Sequence, residues 1–277
     1  MAGNPSHPHG IDPVESWNQN AEYWDQGIGA SGNKYWSKLQ EPCLQKFLGE
    51  HLQRENCQAL EFATGNGLCA RWMAEHGARV LATDGAPTML EKAKGRGSAG
   101  GRIEFQKVDV TSDEELDVLV QSGNTFDIIL MNMAIMDVAT LDPLARALPK
   151  LLKKDGVFAA TILHPVFMTS IYSRTAESKF DPVTLDYNLQ LGKNISEYMF
   201  VGPYKTVALI GQEGPQLFFH RPIHELCSTF FRAGLVMDGF EEPCFKKEDG
   251  DPTRMLSTTN FTQLPAIMGF RMRLIGN

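Results

Sequence analysis

The chain has 277 residues, 43% of them hydrophobic and 21% charged, which suits a globular protein with one large domain or two small ones. Its net charge of −7 argues against a nucleic-acid-binding surface, because such a surface is basic. The five cysteines lack CxxC spacing, so the sequence predicts neither a zinc site nor a redox pair.

The N-terminal part is expected to lie outside the central sheet. Residues 1–13 are polar, lack the apolar core of a signal peptide, and are predicted to form a disordered leader. No apolar run is long enough to span a bilayer, so we expect a cytoplasmic protein. Residues 14–52 are predicted to form helices that cover part of the domain. The aromatic segment at residues 17–25 is expected to pack either on the domain edge or over a ligand.

Strands and helices alternate from residue 58 to residue 165. Five apolar strands are predicted to end at Phe62, Thr83, Val108, Met131 and Leu163, with helices at residues 68–76, 88–94, 112–120 and 141–153 between them. A further helix is predicted at residues 223–233, and two more strands at residues 235–241 and 265–274. This alternation indicates an α/β fold with a Rossmann-like, doubly wound sheet and helices on both faces.

The chemically distinctive residues follow the carboxyl ends of these strands. They are the turn at residues 61–67, Asp84, Asp109, Asn132 and His164. Parallel sheets bind ligands outside these strand ends, so the residues are expected to share one site.

The turn from Glu61 to Gly67 is rich in small residues, which allow a ligand to lie against bare backbone. Read literally, Gly65-x-Gly67-x-x-Ala70 also satisfies a dinucleotide-binding pattern. Glu61 argues against a dinucleotide, because its carboxylate would repel a pyrophosphate. The same carboxylate suits S-adenosylmethionine, whose sulfonium and ammonium groups are positive. The sequence therefore favours S-adenosylmethionine over NAD.

Three further polar residues fit the same cofactor. Asp84 can accept both ribose hydroxyls of an adenosine, or it can be a turn aspartate. Asp109 suits the adenine amino group, or it can cap the next helix. Asn132 is placed near the methyl donor, or it is a simple polar residue at a strand end.

Glu61-x-Ala63-x-Gly65-x-Gly67, followed by Asp84, Asp109 and Asn132 at successive strand ends, resembles the class I S-adenosylmethionine-dependent methyltransferase family. The resemblance is closest to the small-molecule enzymes of the ubiquinone and menaquinone biosynthesis type. Ala63 replaces the first glycine of the usual pattern. The family implies a seven-stranded sheet with an antiparallel last strand, one methyltransferase domain over residues 14–277, and S-adenosyl-L-homocysteine as product. The predicted cofactor-binding residues are Trp24, Glu61, Ala63, Thr64, Gly65, Asn66, Gly67, Asp84, Gly85, Met89, Asp109, Val110, Asn132 and Met133.

Residues 166–220 interrupt the alternation and are predicted to form a lid and specificity insertion, with a small independent domain as the alternative. Short strands are expected within it at residues 199–201 and 207–210. His164 and His220 are candidate general bases or structural histidines. The candidate acceptor-binding residues are Tyr35, Trp36, Phe167, Tyr172 and Arg221, although each aromatic side chain can equally belong to the core.

The predicted function is methyl transfer to a small acceptor, such as a secondary metabolite or a quinone or phenol. The donor is already activated, so the protein mainly aligns the acceptor. The sequence leaves open a cofactor-binding enzyme that does not methylate, and a non-enzymatic regulator on the same fold. Asp137 and Asp142 suggest a metal pair, but Asp142 beside Pro143 is explained by a helix start, so no metal is predicted. We expect a monomer or homodimer without nucleic-acid or membrane partners.

Overall fold

The computed structural model describes residues 10–168 and 172–276. Of the leader predicted at residues 1–13, residues 1–9 lie outside this part of the chain. The prediction is wrong for Asp12 and Pro13, which form the capped start of a helix. Within the described part of the chain, no helix has both the length and the apolar character needed to cross a membrane.

The chain enters the fold through a helical N-terminal segment. Helix α1 spans Pro13–Ile28, and its first turn is capped by Asp12, whose Oδ1 accepts the Val14 N–H at 2.9 Å. A π-helical turn, Trp36–Gln40, leads directly into α2, Glu41–Leu52. Residues 13–28 and 36–52 are therefore helical, and residues 29–33 between them are irregular.

The remaining elements follow in chain order. The strands are β1 Gln58–Glu61, β2 Arg79–Asp84, β3 Ile103–Lys107, β4 Phe126–Asn132, β5 Leu152–Leu163, β6 Tyr172–Asp181, β7 Asp186–Ile195, β8 Tyr204–Thr206, β9 Gln216–Phe218, β10 Leu235–Glu241 and β11 Ile267–Leu274. The helices are α3 Leu68–Glu75, α4 Pro87–Gly95, α5 Asp113–Gln121, α6 Asp142–Leu151 and α7 Ile223–Arg232.

Seven strands form the central sheet in the order β10-β11-β5-β4-β1-β2-β3. The first five strands are parallel, and β11 is antiparallel to both of its neighbours, β10 and β5. The predicted doubly wound sheet with an antiparallel last strand is confirmed. The carboxyl ends of β1 to β5 consequently meet at one edge.

The core lies on both faces of this sheet. The strand β4 is buried along its apolar length, as expected for a central parallel strand. On one face, β4 and β5 pack against α5, α6 and α7 through side chains such as Leu144 and Phe230. On the other face, α2 and α3 contribute Phe47 and Trp72. Burial on two faces fixes the strand register and therefore the positions of the strand ends.

The end of α6 differs from the sequence prediction. The helix stops at Leu151 rather than Lys153, and β5 begins at Leu152 rather than at Val157. Leu152 pairs with Phe126, and the register then shifts before Val157 pairs with Ile128. A Cβ at Gly156 would lie 2.6 Å from the Phe126 carbonyl oxygen, so glycine permits this close approach.

The segment between β5 and α7 contains two hairpins, β6–β7 and β8–β9. The strands predicted at residues 199–201 and 207–210 are wrong. Both segments are irregular and expose apolar side chains, with Phe200 91% and Ile210 87% accessible. Apolar residues in these two segments therefore do not indicate strands, and the pairing occurs instead between Tyr204–Thr206 and Gln216–Phe218, where β9 is buried.

Candidate active site

The turn after β1 carries three residues with left-handed backbone. The φ angles are 52° at Ala63, 56° at Gly65 and 78° at Gly67. The Thr64 N–H donates to the Thr83 carbonyl oxygen at 2.8 Å, which ties the turn to β2. A Cβ at Gly67 would lie 3.1 Å from the Cβ of Ala93, so glycine lets the start of α3 pack closely on α4. Ala63 adopts the backbone that the usual glycine would, at a cost of about 1 kcal/mol.

Glu61 lies beneath this turn. Its side chain is 2% exposed and accepts the Thr64 hydroxyl at 2.6 Å. Burial raises the pKa of Glu61 to about 8, and the hydrogen bond from Thr64 only partly opposes this. Glu61 therefore supports the turn from inside, and its role toward the cofactor stays a prediction.

Asp84 joins the turn to the end of β2. Its two carboxylate oxygens accept the Gly65 and Ala86 N–H groups, each at 2.8 Å. Burial raises the pKa of Asp84 to about 6, against the lowering effect of these two hydrogen bonds. Each oxygen has a second lone pair, which is the acceptor capacity that ribose hydroxyls require.

Asp109 follows β3 and forms a local turn. Its Oδ1 accepts the backbone N–H and the hydroxyl of Thr111, at 2.9 Å and 2.7 Å. The helix α5 is instead capped by Ser112, so the alternative that Asp109 caps this helix is wrong. A Cβ at Gly85 would lie 3.6 Å from the Asp109 Cα. The ends of β2 and β3 therefore lie close together, with Val110 buried beside them.

Asn132 ends β4 with its side-chain amide fully engaged. Its Nδ2 donates to Gln40 Oε1 at 3.0 Å, and its Oδ1 accepts the Thr161 hydroxyl at 2.5 Å. The next residue, Met133, has a φ of 53° and donates its N–H to the Thr161 carbonyl oxygen at 2.8 Å. These bonds fix the backbone that leaves β4.

Helix α1 covers the turn. A Cβ at Gly65 would lie 3.8 Å from the indole Nε1 of Trp24, and Met89 of α4 packs in the same cluster as Trp24. Asn66 Nδ2 donates to Asp25 Oδ1 at 3.0 Å, and Arg96 binds the same carboxylate at 2.8 Å. The aromatic segment therefore packs against the turn, and its role as a cover over a ligand stays a prediction.

His164 is held at both ring nitrogens. Its Nε2 lies 2.8 Å from Glu242 Oε1, and its Nδ1 accepts the Val166 N–H at 3.2 Å. The second bond places the imidazole proton on Nε2, toward Glu242. Burial lowers the pKa of His164 despite Glu242, so the ring is neutral at pH 7. The geometry supports a structural histidine, and the base role stays a prediction.

His220 has one engaged ring nitrogen. Its Nε2 donates to the Tyr198 carbonyl oxygen at 2.6 Å. Burial lowers the pKa of His220, which leaves Nδ1 as a neutral acceptor. His220 therefore keeps a basic nitrogen with no partner among residues 10–168 and 172–276.

The five predicted acceptor-binding residues do not all come together. Tyr35 packs on Phe245 with ring centroids 5.1 Å apart, and Phe167 lies 4.7 Å from the His164 ring. Tyr172 lies under the Lys193 ammonium at 4.8 Å.

Trp36 and Arg221 lie apart from that group. Trp36 packs edge-on against Trp72 in the core. Arg221 donates to the carbonyl oxygens of Ile135, Phe219, Val138 and Ala139, so it holds the loop after β4.

Several site residues carried no sequence signal. Gln40 binds Asn132 at the end of β4 from an element far away in the chain, and no local motif marks it. Asp25 lies in the predicted aromatic segment, but the sequence does not indicate its bond to Asn66. Asp137 was considered only as a metal ligand. Among the described residues, no three histidine, cysteine or acidic side chains are grouped to hold a metal ion.

Two clefts lie away from the strand ends. One, of about 390 Å³, runs between the start of α6 and α7 and is lined by polar residues including Asp142 and His224. The other, of about 240 Å³, lies at the amino ends of β1 and β2. Neither cleft is lined by the turn or by Asp84 and Asp109, so the candidate site is placed at the carboxyl ends of β1 to β4, where these residues converge.

This strand order, with an antiparallel seventh strand and a glycine turn after β1, defines the class I methyltransferase fold. Residues 60–160 match the family model described as a methyltransferase domain. The match contains the strand-end motifs, and the resemblance predicted from them is confirmed over these residues.

Two known methyltransferases are similar to this chain in sequence. The chain is 31% identical over 113 residues to a ubiquinone biosynthesis O-methyltransferase of Bartonella quintana, covering 40% of this chain and 42% of that protein. A protein of the same description from Mesorhizobium japonicum is 30% identical over 109 residues, covering 39% and 42%. The matched part of the chain therefore spans less than half of the length of each of these two relatives.

A solved structure is similar to this chain over most of the fold. A structure described as an S-adenosylmethionine dependent methyltransferase from Mesorhizobium loti superimposes with a TM-score of 0.63 at 22% identity. The superposition covers 88% of this chain and all of that one. At this identity the likeness establishes the fold.

Proposed function

We propose that the chain is an S-adenosylmethionine-dependent methyltransferase that acts on a small acceptor of the phenol or quinone type. One observation carries the proposal. Residues 60–160, which match the methyltransferase domain, contain the strand ends that bring the turn, Asp84 and Asp109 together. The O-methyltransferases that the chain resembles, in ubiquinone biosynthesis, support an oxygen acceptor.

The cofactor would lie across the turn under α1. Bare backbone at Gly65 and Gly67 gives it room, and the free lone pairs of Asp84 would accept the ribose hydroxyls. Asp109 keeps Oδ2 free of hydrogen bonds among the described residues and would accept the adenine amino group. The bound cofactor supplies an activated methyl group, and the protein aligns the acceptor with it and excludes water.

The experiment is transfer of a radioactive methyl group from S-adenosylmethionine to catechol and to hydroquinone. Label in an organic-extractable methyl ether supports the proposal. Cofactor binding without label in either product would refute an acceptor of the phenol or quinone type and leave the cofactor assignment standing. Absence of cofactor binding would refute the proposal altogether.

A further inference from the structure

Two cations lie side by side on the β6–β7 hairpin. Arg174 on β6 is directly opposite Lys193 on β7 in the antiparallel register, so both side chains extend from the same face of the hairpin. Both residues are only partly exposed. Like charges at directly opposite positions destabilise a pair of strands. The arrangement therefore costs stability unless an anion lies beside it, and such a local cost is typical of a functional site.

No carboxylate forms an ion pair with either cation in the described part of the chain. Glu177, the nearest acid after Arg174 along β6, extends from the other face of the hairpin. Three acids between β10 and β11 bind other cations. Their pairs are Glu242 with His164, Asp249 with Lys38, and Asp251 with Arg254. Two neighbouring positive charges are thus left without a counterion from residues 10–168 and 172–276.

The Lys193 ammonium group keeps one N–H without a partner in the same part of the chain. It donates to the Phe167 carbonyl oxygen at 2.8 Å and to Met168 Sδ at 3.1 Å, whereas an ammonium group has three donors. Burial and the charge of Arg174 lower the pKa of Lys193 to about 8, so the group is still mainly protonated at pH 7. Lys193 is therefore a cation that can accept an anionic partner.

The Arg174 guanidinium group is held in place and also keeps donors. Its Nη1 donates to the Leu256 carbonyl oxygen at 2.6 Å, and its Nη2 donates to the hydroxyl groups of Tyr172 and Thr258 at 3.2 Å and 3.0 Å. The Nε–H and the second Nη1–H have no partner among the described residues. Together with Lys193, the pair offers donors to both oxygens of a carboxylate.

Aromatic rings lie beneath both cations. The Lys193 ammonium nitrogen lies 4.8 Å from the ring centroid of Tyr172 and 5.6 Å from that of Phe261. The Arg174 guanidinium carbon lies 5.8 Å and 6.0 Å from the same two centroids. These cation–π contacts fix the charged groups beside flat apolar surfaces. An aromatic ring that carries an anionic group suits such a surface.

The cation pair adjoins the carboxyl end of β5. Phe167, whose carbonyl oxygen binds Lys193, lies 4.7 Å from the ring of His164, the residue that follows β5. In the sheet order, β4 separates β5 from β1 and its turn. The pair is therefore on the side of the site away from the strands β2 and β3, which are assigned to the adenosine.

A second set of contacts connects the pair to the end of β4. Phe261, beneath the two cations, accepts a hydrogen bond on its carbonyl oxygen from Cys244 Sγ at 3.4 Å. The next residue, Phe245, packs in one cluster with Tyr35 and with Met133, which follows β4. The cations consequently lie on the side where an acceptor would approach the methyl group.

We propose that Lys193 and Arg174 bind a carboxylate group of the acceptor, so that the enzyme methylates a hydroxylated aromatic acid in preference to a neutral phenol. The inference rests on the proposed function and narrows its acceptor class. The carboxylate supplies the counterion that the hairpin lacks, and the acceptor ring lies along Tyr172 and Phe261.

Two acceptors that differ only by a carboxylate test this inference, 3,4-dihydroxybenzoate and catechol. For the wild type, kcat/KM should be about 10 to 100 times higher with the acid, as charge-assisted hydrogen bonds predict. Lys193→Gln and Arg174→Gln should each lower this ratio about tenfold or more. Lys179→Gln changes an exposed lysine on the same hairpin and should keep the wild-type ratio.

Benzoate provides a readout that does not depend on methyl transfer. In the presence of S-adenosylhomocysteine, benzoate should raise the melting temperatures of the wild type and of Lys179→Gln, because a ligand stabilises the folded state that binds it. It should leave the melting temperatures of Lys193→Gln and Arg174→Gln unchanged. Should one of these two variants fail to fold, the other variant and the wild-type ratio decide.

Several results would overturn the inference. These are equal kcat/KM values for the two acceptors in the wild type, or wild-type behaviour of Lys193→Gln and Arg174→Gln. Weaker S-adenosylmethionine binding in these variants with an unchanged acceptor ratio would instead assign the cations to the carboxylate of the cofactor. Binding of cofactor and benzoate without methylation of either acceptor would support the carboxylate site and refute a phenolic acceptor. Absence of cofactor binding by the wild type would refute the proposed function itself.

Discussion

At the scale of single residues, the site is a set of buried acids that hold a strained turn. Glu61 and Asp84 take up the polar groups of Thr64 and Gly65, and both carboxyl groups lie at the ends of parallel strands. Burial raises the pKa of each of them, so both carboxyl groups keep their protons at pH values at which an exposed acid would lose them. The turn therefore links the stability of the protein to pH.

Glu61→Gln should change how stability depends on pH. The pKa of Glu61 rises from 4.5 to about 8 on folding, so its contribution to stability is complete below pH 4.5 and is lost as the pH rises through 8. Glutamine still accepts the Thr64 hydroxyl and does not ionise. Between pH 5 and pH 7.5 the variant should gain as much as roughly 3 kcal/mol of unfolding free energy relative to the wild type.

Urea denaturation at several pH values measures this difference. Asp84 titrates in both proteins and cancels in the comparison. Parallel stability curves for the variant and the wild type across this range would exclude ionisation of a buried Glu61.

At the scale of elements, α1 acts as a cover that is fastened to the turn. Asp25 binds Asn66 and Arg96 with little exposure, whereas Glu22 of the same helix forms an exposed ion pair with Lys92. Partly buried, charge-assisted bonds contribute more than exposed ion pairs. The cover therefore depends mainly on Asp25.

Asp25→Ala should weaken S-adenosylmethionine binding roughly tenfold, because the helix that carries Trp24 loses its bonds to the turn. The matched variant Glu22→Ala should bind as the wild type does. Calorimetry on both proteins checks this. Equal affinities in the two variants would show that α1 does not contribute to the cofactor site through Asp25.

The elements also show how far the sequence predicts the fold. Strands β4 and β5 could be predicted because each buries an apolar run, which the local sequence pattern shows. The edge strand β3 buries only Ile103 of its five residues, and its prediction depends on the alternation of strands and helices around it. The β6–β7 hairpin was missed, because its strands are largely exposed and are stabilised by pairing with each other and by contacts such as Arg174 with Thr258. Such contacts leave no periodic signal in the sequence.

At the scale of the whole molecule, the fold brings distant segments to one edge of the sheet. The strand-end acids could be predicted, because each follows a recognisable strand. Their partners could not, since Gln40 and Asn132 are 92 residues apart and Asp25 and Asn66 are 41 residues apart. The acceptor side depends on the insertion, where no motif indicates which side chains meet.

The central claim is that this edge of the sheet holds S-adenosylmethionine, and isothermal titration of the whole chain with this cofactor tests it most directly. We predict one site per chain with a dissociation constant in the micromolar range, weakened at least tenfold by Asp84→Ala and unchanged by Asp113→Ala, an exposed aspartate on α5. Absence of binding at tens of micromolar cofactor, or equal affinity in the Asp84 variant, would contradict it.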